Sequence, residues 1–154
     1  MKARILVVED DTRLRNLLVE ALTQEGHDLT SAESAEAAID ILKDEGFHVL
    51  LTDVNLPGKS GLELLPICLQ LHPFTYMIVM TGYASIDMAV EAMKLGAADF
   101  LRKPISLKDL SGAVQVALKR IETPEPLVPA RNASNPEIIA TSVVMLNVLE
   151  QVNV

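Results

Sequence analysis

Six polar residues stand where apolar runs end. Glu9, Asp10 and Asp11 close "ILVV", Asp53 closes "HVLLT", Thr81 follows "YMIVM", and Lys103 comes just after "ADFLR". Three carboxylates crowded at the end of one apolar run repel one another unless something positive sits among them. One lysine does not neutralise them; a divalent cation does. All-oxygen ligation suits Mg²⁺, or Mn²⁺, rather than zinc. Such a centre attracts a phosphoryl group, because the metal can bridge a carboxylate and a phosphoryl oxygen. Phosphoryl transfer asks little of a protein beyond positioning and charge stabilisation, and a carboxylate can itself be the nucleophile. Asp53 is the expected acceptor, because it stands alone at a strand end. Glu9 and Asp10 are then expected metal ligands. Lys103 is expected to pair with Asp53 and later with phosphoryl oxygens, and Thr81 to donate its hydroxyl to one of them.

These residues meet only if the elements beneath them line up. "RILVV", "DLTSA", "HVLLTD", "YMIVMTG" and "ADFL" read as five strands, the second weaker and edge-like. Between and after them, apolar residues recur at helical spacing. Leu14, Leu17, Leu18, Ala21 and Leu22 mark the first helix face, and Ala38, Ile41 and Leu42 the second. Ile86, Ala89, Val90 and Met93 mark the fourth, and Leu110, Val114, Ala117, Leu118 and Ile121 the fifth. Ser34, Ser85 and Ser106 are placed to cap helices, and Ser60 with Glu63 has the spacing of a capping box for the third. Asp11 is expected to cap the first helix rather than bind metal. Five βα units in succession predict an α/β fold with a parallel sheet covered on both faces. In such sheets the strand ends that bear these residues share one edge, where sites form.

Composition narrows the possibilities. The net charge of −8 argues against direct nucleic-acid binding. No apolar run approaches a membrane span and no signal-peptide pattern opens the chain, so a cytoplasmic location is expected. One cysteine, Cys68, excludes an internal disulfide. His27, His48 and His72 lack metal-ligand spacing and are expected to be structural or surface residues. After Glu122 the segment 123–136 carries four prolines and reads as an extended linker. Residues 137–154 return to a helical period through Val144 or Met145, Val148, Leu149 and Val152.

"VVEDD", "LLTDVNLPGKSGLELL", "VMTGYAS" and "GAADFLRKPIS" resemble, in order and spacing, the successive signatures of bacterial response-regulator receiver domains. Singly each is weak; four at matching intervals over residues 3–121 are specific. The resemblance implies a flavodoxin-like (βα)₅ doubly wound sheet with strand order 2-1-3-4-5. It implies that Asp53 takes a phosphoryl group from a phosphohistidine on a sensor histidine kinase. It makes Glu9 and Asp10 the acidic pair, Asn55 the residue whose backbone carbonyl binds the metal, Thr81 and Phe100 the switch residues, and Lys103 the essential lysine. It also implies a cis Lys103–Pro104 peptide, and a signalling domain that catalyses only its own phosphorylation and dephosphorylation. Two positions depart from the pattern. Lys59-Ser60 replaces the commoner Met-Asp, outside the site, and Glu9 replaces the commoner aspartate, which makes a water-mediated metal contact plausible.

"TGYAS" and "AVEAMKLGAADFLRKP" look most like receivers of sigma-54-dependent transcription activators of the nitrogen-regulator class, and "IIATSVVMLNVLEQV" is similar to the opening of their ATPase domain. The implied organisation is a receiver at 1–122, a Pro-rich linker at 123–136, and the start of a following ATPase-like domain at 137–154. No phosphate-binding loop is present in the chain. ATPase and DNA-binding output domains are expected as partners from the same protein. Pro124, Pro126 and Pro129 forbid running the fifth helix into a coiled coil, so a homodimer would use the fourth helix, fifth strand and fifth helix. Three alternatives stay open: a receiver with another output, a degenerate receiver used only for binding, and a Mg²⁺-dependent phosphatase with an aspartyl intermediate. The phosphatase is disfavoured by Asn55, since such enzymes carry a second acid two residues after the nucleophile.

Overall fold

The computed structural model describes residues 2–82, 86–122, 146–147 and 149–153. Strands and helices alternate: β1 (Arg4–Val8), α1 (Thr12–Gln24), β2 (Asp28–Ala32), α2 (Ala35–Asp44), β3 (Val49–Asp53), α3 (Gly61–Leu71), β4 (Tyr76–Thr81), α4 (Ile86–Lys94), β5 (Asp99–Arg102) and α5 (Leu107–Glu122). The five strands form one parallel sheet in the order β2-β1-β3-β4-β5. This is the doubly wound flavodoxin-like arrangement expected from the sequence, with the weak "DLTSA" at an edge.

Strand alternation divides the core in two. Ile5, Val7, Val49, Leu51, Ile78 and Met80 face one cluster, completed by Leu18 and Leu22 of α1 and Val114 and Ala117 of α5. Leu6, Val8, Leu50, Met77 and Val79 face the other, completed by Ala38 and Leu42 of α2, Leu64, Leu65 and Cys68 of α3, and Ala92 of α4. Every residue of β3 and β4 is buried, which is why both read as near-continuous apolar runs.

Local chemistry sets the helix ends. Asp11 caps α1, its carboxylate accepting from the N–H groups of Arg13 and Leu14. Ser34 accepts from Ala37 N–H at the start of α2, and Ser60 and Glu63 form the anticipated capping box on α3. Ser106 Oγ accepts from Asp109 N–H at the start of α5. The cap assigned to Ser85 lies outside the described residues, as do the linker assigned to 123–136 and most of the segment after it.

Three expectations need correction. The inward face of α4 is not Ile86, Val90 and Met93, which are exposed; Ala92 is buried, with Met88 and Leu95 packed beside it. Both sets follow the i, i+4, i+7 spacing, so period alone could not choose between them. The small Ala92 takes the position nearest the sheet. Leu17 is likewise exposed, because Leu18 and Leu22 already fill the inward stripe of α1. The helical period after residue 137 is not realised where the chain is described: Leu146–Asn147 and Leu149–Asn153 form short strands, β6 and β7. The β-branched Val152 in this stretch favours extended backbone.

Candidate metal and phosphoacceptor site

Parallel pairing brings the ends of β1, β3, β4 and β5 to one edge. Val8 is in register with Thr52, Asp53 with Met80, and Thr81 with Arg102. The next residue along β1 is Glu9, and the next along β5 is Lys103. Charged residues thus emerge where apolar runs leave the core.

The geometry there is tight. Lys103 Nζ donates to Glu9 Oε1 at 2.8 Å and to Asp53 Oδ2 at 2.9 Å. Glu9 and Asp53 are almost fully buried, whereas Lys103 keeps part of its side chain in solvent. Carboxylate oxygens of Glu9, Asp10 and Asp53 all lie within 4.8 Å of one another. Asp10 is exposed, and the Asp11 carboxylate is engaged in capping α1 rather than in this set. Asn55 N–H donates to Asp53 Oδ1 at 3.3 Å, so both acceptor oxygens are oriented. Thr81 is fully buried, and its carbonyl accepts from Lys103 N–H at 2.8 Å, tying β5 to the end of β4. Phe100 is half-buried against the cluster under α4. The Lys103–Pro104 peptide is cis, as the resemblance implied.

Electrostatics follow from burial and pairing. Burial raises the Glu9 carboxyl above its ordinary value, opposed by the hydrogen bonds from Lys103 and Asp11 N–H. Burial alone would lower the Lys103 ammonium, but the hydrogen bonds and charges of Glu9 and Asp53 outweigh it and raise it. Lys103 therefore stays charged, and a single ammonium faces three clustered carboxyl groups at the edge. That balance and the all-oxygen donor set fit a hard divalent cation such as Mg²⁺. Cys68 has no part in it: it is buried in α3, with its thiol pushed up to about 12.

Two residues at this edge were not singled out in the sequence. Arg15 Nη1 donates to the Glu9 carbonyl at 2.8 Å. Gly61 begins α3 against the end of β3, where an added Cβ would fall 1.8 Å from the Asp53 carbonyl oxygen. Both act on backbone carbonyls, which leave no trace in residue type. For Gly61 the one available signal was its place directly after the Ser60 cap.

An oriented carboxylate at the carboxyl edge of a 2-1-3-4-5 sheet, held by an ammonium and flanked by two more acids, defines a receiver-type α/β domain. The chain belongs to the response regulator receiver domain family, whose pattern matches residues 5–115. It is 43% identical over 110 residues to the response regulator protein FleR of Pseudomonas aeruginosa, covering 71% of this chain and 23% of that protein. It is 34% identical over 143 residues to the DNA-binding transcriptional regulator NtrC of Klebsiella pneumoniae, covering 92% and 30%. Among solved structures it resembles the beryllofluoride-activated NtrC4 receiver domain dimer, with a TM-score of 0.73 and 32% identity over 76% of this chain and 97% of that one. The chain thus spans less than a third of the length of these two curated relatives. Among the described residues, no helix is long and apolar enough to cross a membrane.

Proposed function

We propose that this chain is the phosphoacceptor domain of a two-component response regulator and that Asp53 is the acceptor. The observation that carries the reading is Lys103 Nζ held between Glu9 and Asp53 at the closed end of the site. An Asp53 oxygen forms the bond to phosphorus. The bond from phosphorus to the imidazole nitrogen of a sensor-kinase phosphohistidine breaks, and the imidazole leaves with the electron pair and takes a proton. Lys103 moves from the carboxylate to a phosphoryl oxygen, and Thr81 donates its hydroxyl to another. Glu9, Asp10, Asp53 and the Asn55 carbonyl would hold Mg²⁺, which when bound would neutralise charge on the phosphoryl oxygens. Turning Thr81 inward opens space for Phe100, and the surface of α4, β5 and α5 changes with it.

That surface has the character of a docking face. Ile86, Val90 and Met93 form an exposed apolar stripe on α4, and Val116 is exposed on α5. A second copy of the chain is its proposed occupant, as the dimeric NtrC4 receiver suggests. The proposed organisation is a receiver at 1–122, a linker at 123–136 and the start of an ATPase-like output domain at 137–154, working in the cytoplasm; likeness to the DNA-binding transcriptional regulator NtrC supports an output in transcription. The domain turns over nothing but its own phosphoryl group, and its regulatory partner is the kinase.

The test is phosphoryl uptake from acetyl phosphate or a phosphorylated kinase, read as an acid-stable or acid-labile adduct by mass spectrometry. The wild-type chain should take up one group with Mg²⁺ and Asp53→Asn none. Uptake by Asp53→Asn at position 53 would sink the assignment.

A further inference from the structure

The turn from β1 to α1 is pinned at nearly every polar atom. Glu9 N–H donates to the Ala32 carbonyl at 3.1 Å. Glu9 Oε1 accepts from Lys103 and Oε2 from Asp11 N–H at 3.1 Å. Asp11 Oδ1 accepts from two α1 N–H groups, and the Asp11 carbonyl accepts from Arg15 N–H at 2.9 Å. The Glu9 carbonyl is held as well: the Arg15 guanidinium donates to it at 2.8 Å. Asp10 sits in the middle of this frame, exposed, with its carboxylate beside those of Glu9 and Asp53.

We propose that Arg15 is a positioning residue of the metal centre, which aims the Asp10 carboxylate by clamping the Glu9 carbonyl. The peptide unit is planar, so fixing its carbonyl fixes the N–Cα bond from which Asp10 hangs. Arg15 lies one helical turn past the Asp11 cap, on the half-buried side of α1, so its stem is held by the helix that the cap begins. The long reach of the guanidinium then spans from helix to turn and meets the main chain of Glu9. The inference rests on the proposed Mg²⁺ site and adds a residue that none of the motifs contains.

Charge and geometry make opposite predictions for Arg15. A cation close to a metal site repels the metal, so removing the charge alone would tighten Mg²⁺ binding. Removing the clamp frees the turn and weakens it. Partners that orient metal ligands change affinity by about 10- to 100-fold. A clamp acting through the backbone belongs at the lower end, about 10-fold.

The experiment is calorimetric titration of Mg²⁺ into the wild-type chain and into Arg15→Gln, Arg15→Lys and Arg13→Gln. Unfolding in guanidinium chloride without metal is followed alongside. Arg13 is exposed two residues earlier on the same helix and serves as the charge control. Arg15→Gln should raise the Mg²⁺ dissociation constant about 10-fold, Arg15→Lys should recover part of the loss, and Arg13→Gln should leave binding equal or tighter. Equal or tighter binding by Arg15→Gln overturns the proposal, as does a loss of equal size in Arg13→Gln. Should Arg15→Gln fail to fold, Arg15→Met, which keeps the stem, carries the same two readings. A wild-type chain that does not bind Mg²⁺ overturns the site itself, an outcome distinct from wild-type binding that Arg15→Gln leaves unchanged.

Discussion

Asp10 and Asp11 are neighbours of the same type with opposite energetic roles. Asp11 stabilises the fold, since its carboxylate satisfies two N–H groups at the start of α1. Asp10 stands beside two other carboxylates and is exposed. Replacing Asp11 by alanine should therefore cost about 1 kcal/mol of stability. Replacing Asp10 by asparagine should leave the metal-free protein as stable or more so, because it relieves like-charge repulsion. Denaturant midpoints in metal-free buffer measure both, and a loss of stability in Asp10→Asn would contradict this division. The division was legible in sequence only in part. The first apolar position of the helix stripe, Leu14, marked Asp11 as a cap. The nearness of Glu9, Asp10 and Asp53 depended on the sheet order, which the family resemblance supplied. Arg15 and Gly61 escaped notice because each works against a main-chain oxygen.

At the level of elements, α3 is set against β3 with no room to spare. Gly61 N–H donates to the Val54 carbonyl at 2.9 Å, and its Cα lies over the Asp53 carbonyl. An alanine there would overlap backbone atoms, which cannot rotate out of the way as a side chain could. Gly61→Ala should destabilise the protein by about 2–4 kcal/mol and slow phosphoryl uptake in the fraction that remains folded. Uptake rates and denaturant midpoints check the two effects, and a wild-type midpoint would refute the contact. The same level shows where periodicity reads well. The strands and the inward stripes of α2 and α5 were recognised because their apolar positions fit one face only. In α4 two equivalent stripes compete, and only packing against the sheet selects Met88 and Ala92 over Ile86 and Val90. The surplus stripe is what gives the proposed docking face its apolar character.

Across the whole molecule, chemistry and anchoring occupy opposite ends of the sheet. At the end away from the acids, His27 Nδ1 accepts from Ala3 N–H at 3.2 Å and His48 Nδ1 accepts from Arg4 N–H at 2.9 Å. Arg4 also pairs with Glu45 and lies over the Phe47 ring. The histidines are thus structural, holding the start of β1. Burial lowers the His27 imidazole, with Glu25 opposing and the N-terminal charge adding to the effect. A lowered folded value means that the unfolded chain binds the extra proton first, below about pH 6.5. Stability should therefore be full above that pH and fall as the pH drops below it. His27→Asn keeps an acceptor for Ala3 N–H but does not titrate, so its urea midpoint should fall less between pH 7.5 and 5. Parallel curves for the two proteins would refute this.

The bond between Lys103 and Glu9 joins residues 94 positions apart. During synthesis the amino-terminal acids emerge first, and their ammonium follows only 94 residues later. A nascent or prematurely terminated chain ending before residue 103 would carry the Asp53 carboxylate without the ammonium that pairs with it. If Asp53 is the acceptor proposed above, such fragments would be silent rather than wrongly switched on, since Lys103 follows directly on β5.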